Sequence, residues 1–131
     1  PATAEPATPE PKAVLELFTS QGCSSCPPAD ALLAQLGKKP GYVTLSYSVD
    51  YWNYLGWRDT LSSAANSDRQ RDYARMRGDG SVYTPQVVVD GLLHVNGANE
   101  AAIEMAMRNA AKRLEEIRES MRGDAEQGDN G

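Results

Sequence analysis

The feature that most restricts the fold is a Cys-x-x-Cys pair between two different hydrophobic patterns. The stretch FTSQGCSSCPPAD, residues 18–30, holds both cysteines of the 131-residue chain, Cys23 and Cys26. A short apolar run typical of a buried strand precedes it, and leucines at helical spacing follow it. The sequence therefore predicts a strand followed directly by the dithiol and then by a helix. Three uses of the pair are open: a structural staple, half of a metal site, or a dithiol that opens and closes.

The other patterns predict a single α/β domain. Two strands joined through a helix should be parallel, with a right-handed crossover. The Asp90-Gly91 dipeptide between two β-rich segments predicts an antiparallel hairpin. The fold class is an α/β sandwich with a small mixed sheet and the order β-α-β-α-β-β-α. The predicted elements are strand 13–19, a helix ending at Gly37, strand 42–49, helix 62–77, a strand after Pro85, a strand within 92–97, and helix 99–121.

Both later helices have candidate core residues. Helix 62–77 is polar, and its predicted inner contacts are Ala65, Tyr73 and Met76. Asn99 is a suitable N-cap for the last helix. The apolar stripe of that helix comprises Ala102, Ile103, Ala106, Met107, Ala110, Leu114 and Ile117.

Composition limits the partners. The net charge is −5, with 13 Lys and Arg against 18 Asp and Glu; this argues against nucleic acid, because such an interface needs a basic face. No apolar run approaches the ~18 residues of a membrane helix, so no membrane span is expected. We expect residues 1–12 to be a disordered lead, 13–121 the folded domain and 122–131 a flexible tail. Mature exported proteins often begin with such a lead, so an extracytoplasmic location, periplasmic or secreted, is expected.

The place of the cysteines predicts reactive thiols. The N-terminus of a helix favours negative charge, and a thiol there has its pKa lowered from about 8.5 toward roughly 3.5–7.5. Cys23 is then the exposed nucleophile, and Cys26, one turn inside the helix, resolves the mixed disulfide. Pro27 and Pro28 fit the first turn, where an N–H has no intrahelical partner.

A second element is Thr84-Pro85, immediately before the strand PQVVVDG. A proline at a strand entrance is ordinary. In the cis form it would place the Thr84 backbone beside the cysteines, ready to pair with an extended peptide.

With these motifs the chain resembles the thioredoxin superfamily. It is most similar to a secreted bacterial branch with no settled substrate, on the strings LELFTSQGCSSCPPADALLAQL, LSYSVDYWNYLGWRDT and SVYTPQVVVDG. The resemblance covers roughly residues 13–98. It implies a thioredoxin-like (glutaredoxin-like) fold, with Pro85 as the cis-proline. It also implies a redox-active disulfide between Cys23 and Cys26, with no other cofactor.

Glu16 interrupts the first strand and has two interpretations. A carboxyl in a strand buried on both faces is costly unless it is paired or protonated. Glu16 would accept the proton of Cys26, or would pair with an arginine near the sheet edge. Strand alternation places it on the side of Val14 and Phe18.

The segment DYWNYLGWRDT, residues 50–60, is crowded with aromatic side chains. They either fill space between sheet and helix or rim the dithiol and give a client an apolar surface. Asp50 and Arg58 are expected to brace this segment by pairing. The candidate substrate rim comprises Trp52, Tyr54 and Trp57, with Ser24 and Ser25 beside the cysteines.

The sequence therefore predicts a thiol–disulfide oxidoreductase acting on protein thiols or disulfides, with a redox donor or acceptor protein as second partner. One alternative is a non-catalytic thioredoxin-fold binding module, an adaptor for copper, another metal or a partner protein. Two cysteines and the single histidine, His94, are too few for a closed zinc site. The other alternative is a glutathione-dependent, glutaredoxin-like reductase.

Overall fold

The computed structural model of the chain describes residues 12–53, 59 and 61–129. Within these residues the elements follow the predicted order. The elements are β1 (Ala13–Thr19), α1 (Cys26–Leu36), β2 (Tyr42–Ser48), α2 (Ala64–Arg77), β3 (Gln86–Val89), β4 (Leu93–Asn96) and α3 (Glu100–Asp129).

The four strands form a mixed sheet in the order β2-β1-β3-β4. β1 and β2 are parallel, as expected for strands joined through a helix. β3 is antiparallel to β1 and to β4. The turn of the β3–β4 hairpin contains Asp90 and Gly91, both with positive φ. The α/β fold class is confirmed, and the element order is consistent with a thioredoxin-like fold.

Side chains alternate across β1, so its two faces meet different helices. Leu15 and Leu17 face α1 and α3 in the larger core cluster, with Leu33 and Ile103 among the residues packed on them. Phe18 faces the other way, into a smaller cluster. The other members of that cluster are Val49 and Val88, with Tyr47, Tyr51, Trp52 and Tyr73 packed against it.

α1 begins later than predicted. Cys26 is its first residue and Ser25 its N-cap, so Cys26 does not lie one turn inside the helix. Pro27 and Pro28 occupy the first turn, where the missing N–H groups leave no intrahelical bond unmade. The helix ends before Gly37, as predicted.

α2 presents a different face from the predicted one. Its buried residues are Ser67, Gln70 and Ala74, whereas Ala65 is exposed and Met76 is 77% exposed. Tyr73, the third predicted inner contact, is half-buried. The helix packs its polar side chains onto neighbouring loops, and a hydrophobic pattern does not reveal such contacts.

α3 begins as predicted and extends past the sheet. The side chain of Asn99 accepts a hydrogen bond from the Ala102 backbone N–H at 3.0 Å. A helix of 30 residues is about 45 Å long, so its distal half outruns the strands. Leu114 and Ile117 are therefore 38% and 42% exposed, although the sequence placed them on the inner stripe. The backbone is helical to Asp129, across most of the segment for which a flexible tail was predicted.

No helix within the described part of the chain has the length and apolar character needed to cross a membrane.

Candidate functional site

The two cysteines lie where β1 ends and α1 begins. The Cys23 N–H donates to the Ser20 carbonyl and the Cys26 N–H to the Cys23 carbonyl, each at 3.2 Å. This pair of turns brings the cysteine Cα atoms to 5.4 Å, and the side chains form a disulfide. The structure therefore brings together the two residues that the sequence predicted to form the redox pair.

Both cysteines are more enclosed than predicted. Cys23 is 3% exposed and Cys26 is fully buried, so the expectation that Cys23 would be openly exposed is wrong. Cys23 is nevertheless the more accessible of the two. Ser24 and Ser25 beside it are exposed, and the Ser25 hydroxyl lies 3.5 Å from the Cys23 sulfur.

The loop before β3 lies at the same end of the sheet as the cysteines. Phe18 pairs with Gln86 in the antiparallel ladder, so Thr84 and Pro85 lie beside the residues that lead from β1 to Cys23. The Thr84–Pro85 peptide bond is cis, the isomer that the resemblance implied. Pro85 is buried and Thr84 half-buried.

The Trp52 side chain contacts the loop that carries Thr84. Its indole N–H donates to the Thr84 hydroxyl at 2.9 Å, and its ring packs against the smaller core cluster. Trp52 therefore lies between the smaller core cluster and the loop that carries Thr84. Tyr54, Trp57 and Arg58 lie outside the described residues. Asp50, expected to pair with Arg58, accepts a hydrogen bond from the Ser67 hydroxyl at 2.5 Å.

Asp59 ties the aromatic segment to the cysteine loop, a role that the sequence did not indicate. Its carboxylate, 1% exposed, accepts from the Gln21 N–H at 2.9 Å and from the Leu61 N–H at 2.8 Å. The Asp59 N–H donates to the Asn53 side chain at 2.9 Å. Short-range Asp-to-backbone bonds are common in loops, but nothing in the sequence identified Gln21 as the distant partner.

A buried amide pair supports the loop before Pro85. Gln70 and Gln86 are fully buried, and the Gln70 amide donates to the Gln86 side chain at 2.9 Å and to the Tyr83 carbonyl at 2.8 Å. The Gln86 amide donates to the Ser81 carbonyl at 3.1 Å. These bonds satisfy polar groups that would otherwise be buried without partners.

Arg77, Asp79 and His94 make further polar contacts with the same loop. Arg77 donates two hydrogen bonds to Asp79 at 3.0 and 3.1 Å; with a bond from the Ser81 N–H, they lower the pKa of the Asp79 carboxyl to about 2. His94 lies 3.2 Å from Asp79 through Nε2 and 2.9 Å from the Tyr83 hydroxyl through Nδ1. Since His94 pairs with Val88, it belongs to the α2 face of the sheet. Within the described ranges no three His, Cys, Asp or Glu side chains are grouped so that they could hold a metal ion.

Glu16 is buried on the α2 face, paired with an arginine. Its carboxylate accepts from Arg69 Nε at 2.8 Å and from the Tyr73 hydroxyl at 2.5 Å. Burial, reinforced by the hydrogen bond to Glu16, raises the pKa of Tyr73 to about 12. α1, which carries Cys26, packs on the opposite face. Glu16 is therefore paired with an arginine, as the second interpretation predicted, but it lies on an interior strand of the sheet and not near the sheet edge.

Comparison with known proteins identifies relatives but no activity. Residues 14–130 match a family described as a protein of unknown function (DUF1223). The chain is also similar to a crystal structure of a protein from Agrobacterium tumefaciens, at 51% sequence identity and a TM-score of 0.73. That match covers 82% of this chain and 48% of the other, so this chain spans about half the length of the solved relative. No curated protein matches the chain.

Proposed function

This chain belongs to the DUF1223 family of proteins of unknown function, and we propose that it acts as a thiol–disulfide oxidoreductase through Cys23 and Cys26. The closed disulfide between them is the oxidised form of the redox centre. No further cofactor takes part in the proposed exchange, because the electrons are held by the two sulfur atoms.

The position of the disulfide is the observation that carries this proposal. Cys23 and Cys26 are three residues apart, and a ring this small removes little loop entropy from the unfolded chain. A structural staple would gain more by joining distant segments. At the start of α1, by contrast, the helix dipole stabilises a thiolate, the reactive form of cysteine.

In the reducing direction the exchange has two steps. The Cys23 thiolate attacks a client disulfide, forms a Cys23–client bond and releases one client sulfur as a thiolate. Cys26 then attacks Cys23, forms the Cys23–Cys26 disulfide and releases the second client thiolate. Two electrons pass from the dithiol to the client, and an external thiol reductant restores the dithiol; the oxidising direction is the reverse.

Trp52, Thr84, Ser24 and Ser25 form the proposed client surface. The loop that carries Thr84 and Pro85 precedes β3 at the cysteine end of the sheet, and Trp52 bonds to Thr84. An extended client segment lying along this loop would bring its disulfide to Cys23. The proposed partners are a protein with an accessible disulfide or dithiol and a redox protein that resets the pair, both in an extracytoplasmic compartment.

Insulin reduction by dithiothreitol, run beside oxidation of a reduced peptide dithiol, tests this function. The protein should accelerate at least one reaction, and Cys23→Ser should reduce the rate to that without protein. Ser120→Ala, at an exposed position of α3 far from the cysteines, should retain the full rate. Failure of the unmodified protein in both assays, or full activity of Cys23→Ser, would contradict the proposal.

A further inference from the structure

We propose that Asp30 accepts the proton of Cys26 during the resolving step and passes it to solvent. The inference rests on the proposed function, because it assigns a role within the same exchange. Cys26 is fully buried, so its thiol has no access to bulk water as proton acceptor. A group that reaches both Cys26 and solvent is needed.

The register of α1 places Asp30 beside Cys26. Cys26 is the first residue of the helix, and Asp30 follows four positions later. Residues four apart lie on one face, about 5–6 Å between Cβ atoms, and helical side chains lean toward the N-terminus. The Asp30 side chain therefore leans toward Cys26, while Asp30 itself is exposed to solvent.

Thr19 holds the Asp30 carboxylate in place. The Thr19 hydroxyl donates to Asp30 Oδ1 at 2.7 Å. Thr19 is the last residue of β1, and alternation from Leu15 and Leu17 puts it on the face covered by α1. The bond joins α1 to the strand end from which the cysteine loop departs.

Among the described residues, the other carboxylates near this end of the sheet already have partners. Asp50 accepts from a serine hydroxyl, Asp59 accepts hydrogen bonds from two backbone N–H groups, and Glu16 is bound by Arg69 and Tyr73 on the opposite face. β2 and α3 also pack in the cluster that α1 enters. Their Tyr42, Glu104 and Arg108 line a groove with Lys12, at the end of the sheet remote from Cys26.

The resolving step moves one proton and exchanges one disulfide bond for another. In the mixed disulfide, the Cys26 S–H proton moves to the Asp30 carboxylate as Cys26 attacks the Cys23 sulfur. The Cys23–Cys26 bond forms, the bond from Cys23 to the client breaks, and the client leaves as a thiolate. The proton on Asp30 then passes to that thiolate or to water, and the carboxylate is restored.

The same charge separates the roles of the two cysteines. A carboxylate beside Cys26 disfavours a second negative charge there before the attack. Asp30 therefore favours Cys23 over Cys26 as the sulfur that attacks the client first.

The reduced protein mixed with 5,5′-dithiobis(2-nitrobenzoate) reports the two steps separately. Attack by Cys23 releases the first thionitrobenzoate, and attack by Cys26 releases the second. Asp30→Asn should leave the first release within about twofold and slow the second about tenfold or more, as for loss of a general base. In Asp30→Asn the rate of the second release should increase steadily from pH 6 to 9. In the unmodified protein that rate should change little over the same range.

Two further variants keep the test decisive. Asp30→Glu, which retains a carboxylate, should recover most of the second-phase rate. Thr19→Val removes only the hydrogen bond to the Asp30 carboxylate, so it should slow the second phase by a smaller factor. This variant replaces Asp30→Asn in the test if Asp30→Asn does not fold. An unchanged second phase and pH profile in Asp30→Asn would overturn the role of Asp30. Absence of both phases in the unmodified protein would instead overturn the proposed function.

Discussion

At the scale of single residues, Glu16 shows how burial decides between two roles. A carboxylate that is 3% exposed needs compensation, and Arg69 and Tyr73 supply it. The Arg69 guanidinium also lies over the rings of Tyr47 and Tyr73, at 5.3 and 5.2 Å from their centroids. The sequence predicted that Glu16 needed a partner; it did not identify Arg69, because the partner is 53 residues away.

Glu16→Gln should lower the free energy of unfolding by about 1–3 kcal/mol, since it weakens two hydrogen bonds to a buried acceptor. The loss should not be larger, because Arg69 is half exposed and can turn to solvent. Urea unfolding gives the value, with the exposed Glu115→Gln on α3 as control, expected within about 0.5 kcal/mol. Slower release of the second thionitrobenzoate, with stability unchanged, would restore Glu16 as the proton acceptor.

At the scale of elements, α2 is the helix whose inner face the sequence pattern predicted wrongly. Periodicity selects apolar side chains for the core, so it predicted Ala65 and Met76. In the structure Gln70 faces inward, where its bonds hold the loop before Pro85. A buried amide in a polar helix looks like a surface residue in a sequence, so this part of the candidate site was not predictable.

Gln70→Ala should cost about 1–3 kcal/mol of folding free energy, because it leaves the Tyr83 carbonyl and the Gln86 amide oxygen without their donor. We also expect a raised KM for insulin with a smaller change in the first thionitrobenzoate release, because the loop aligns a peptide rather than the sulfurs. Gln35→Ala, exposed on α1, is the matched control. A fully stable Gln70→Ala variant with normal insulin kinetics would contradict this role of the amide pair.

At the scale of the whole molecule, local patterns predicted the element order, the place of the dithiol and the hairpin. Each depends on short-range signals such as alternation, prolines and the Asp90-Gly91 turn. The contacts that join the cysteine loop, the aromatic segment 50–60 and the loop before Pro85 were not predictable. The bonds between Asp59 and Gln21 and between Trp52 and Thr84 join segments 38 and 32 residues apart, and neither segment carries a signal that names its partner.

The proposed function requires that the Cys23–Cys26 disulfide opens and closes under conditions that thiol partners provide. Its equilibrium reduction potential, titrated against glutathione or dithiothreitol and read by thiol alkylation and mass, measures this property. We expect a value between about −270 and −120 mV, the range of catalytic dithiols. A pair that stays oxidised well below about −300 mV would be a structural disulfide and would rule out the proposed exchange.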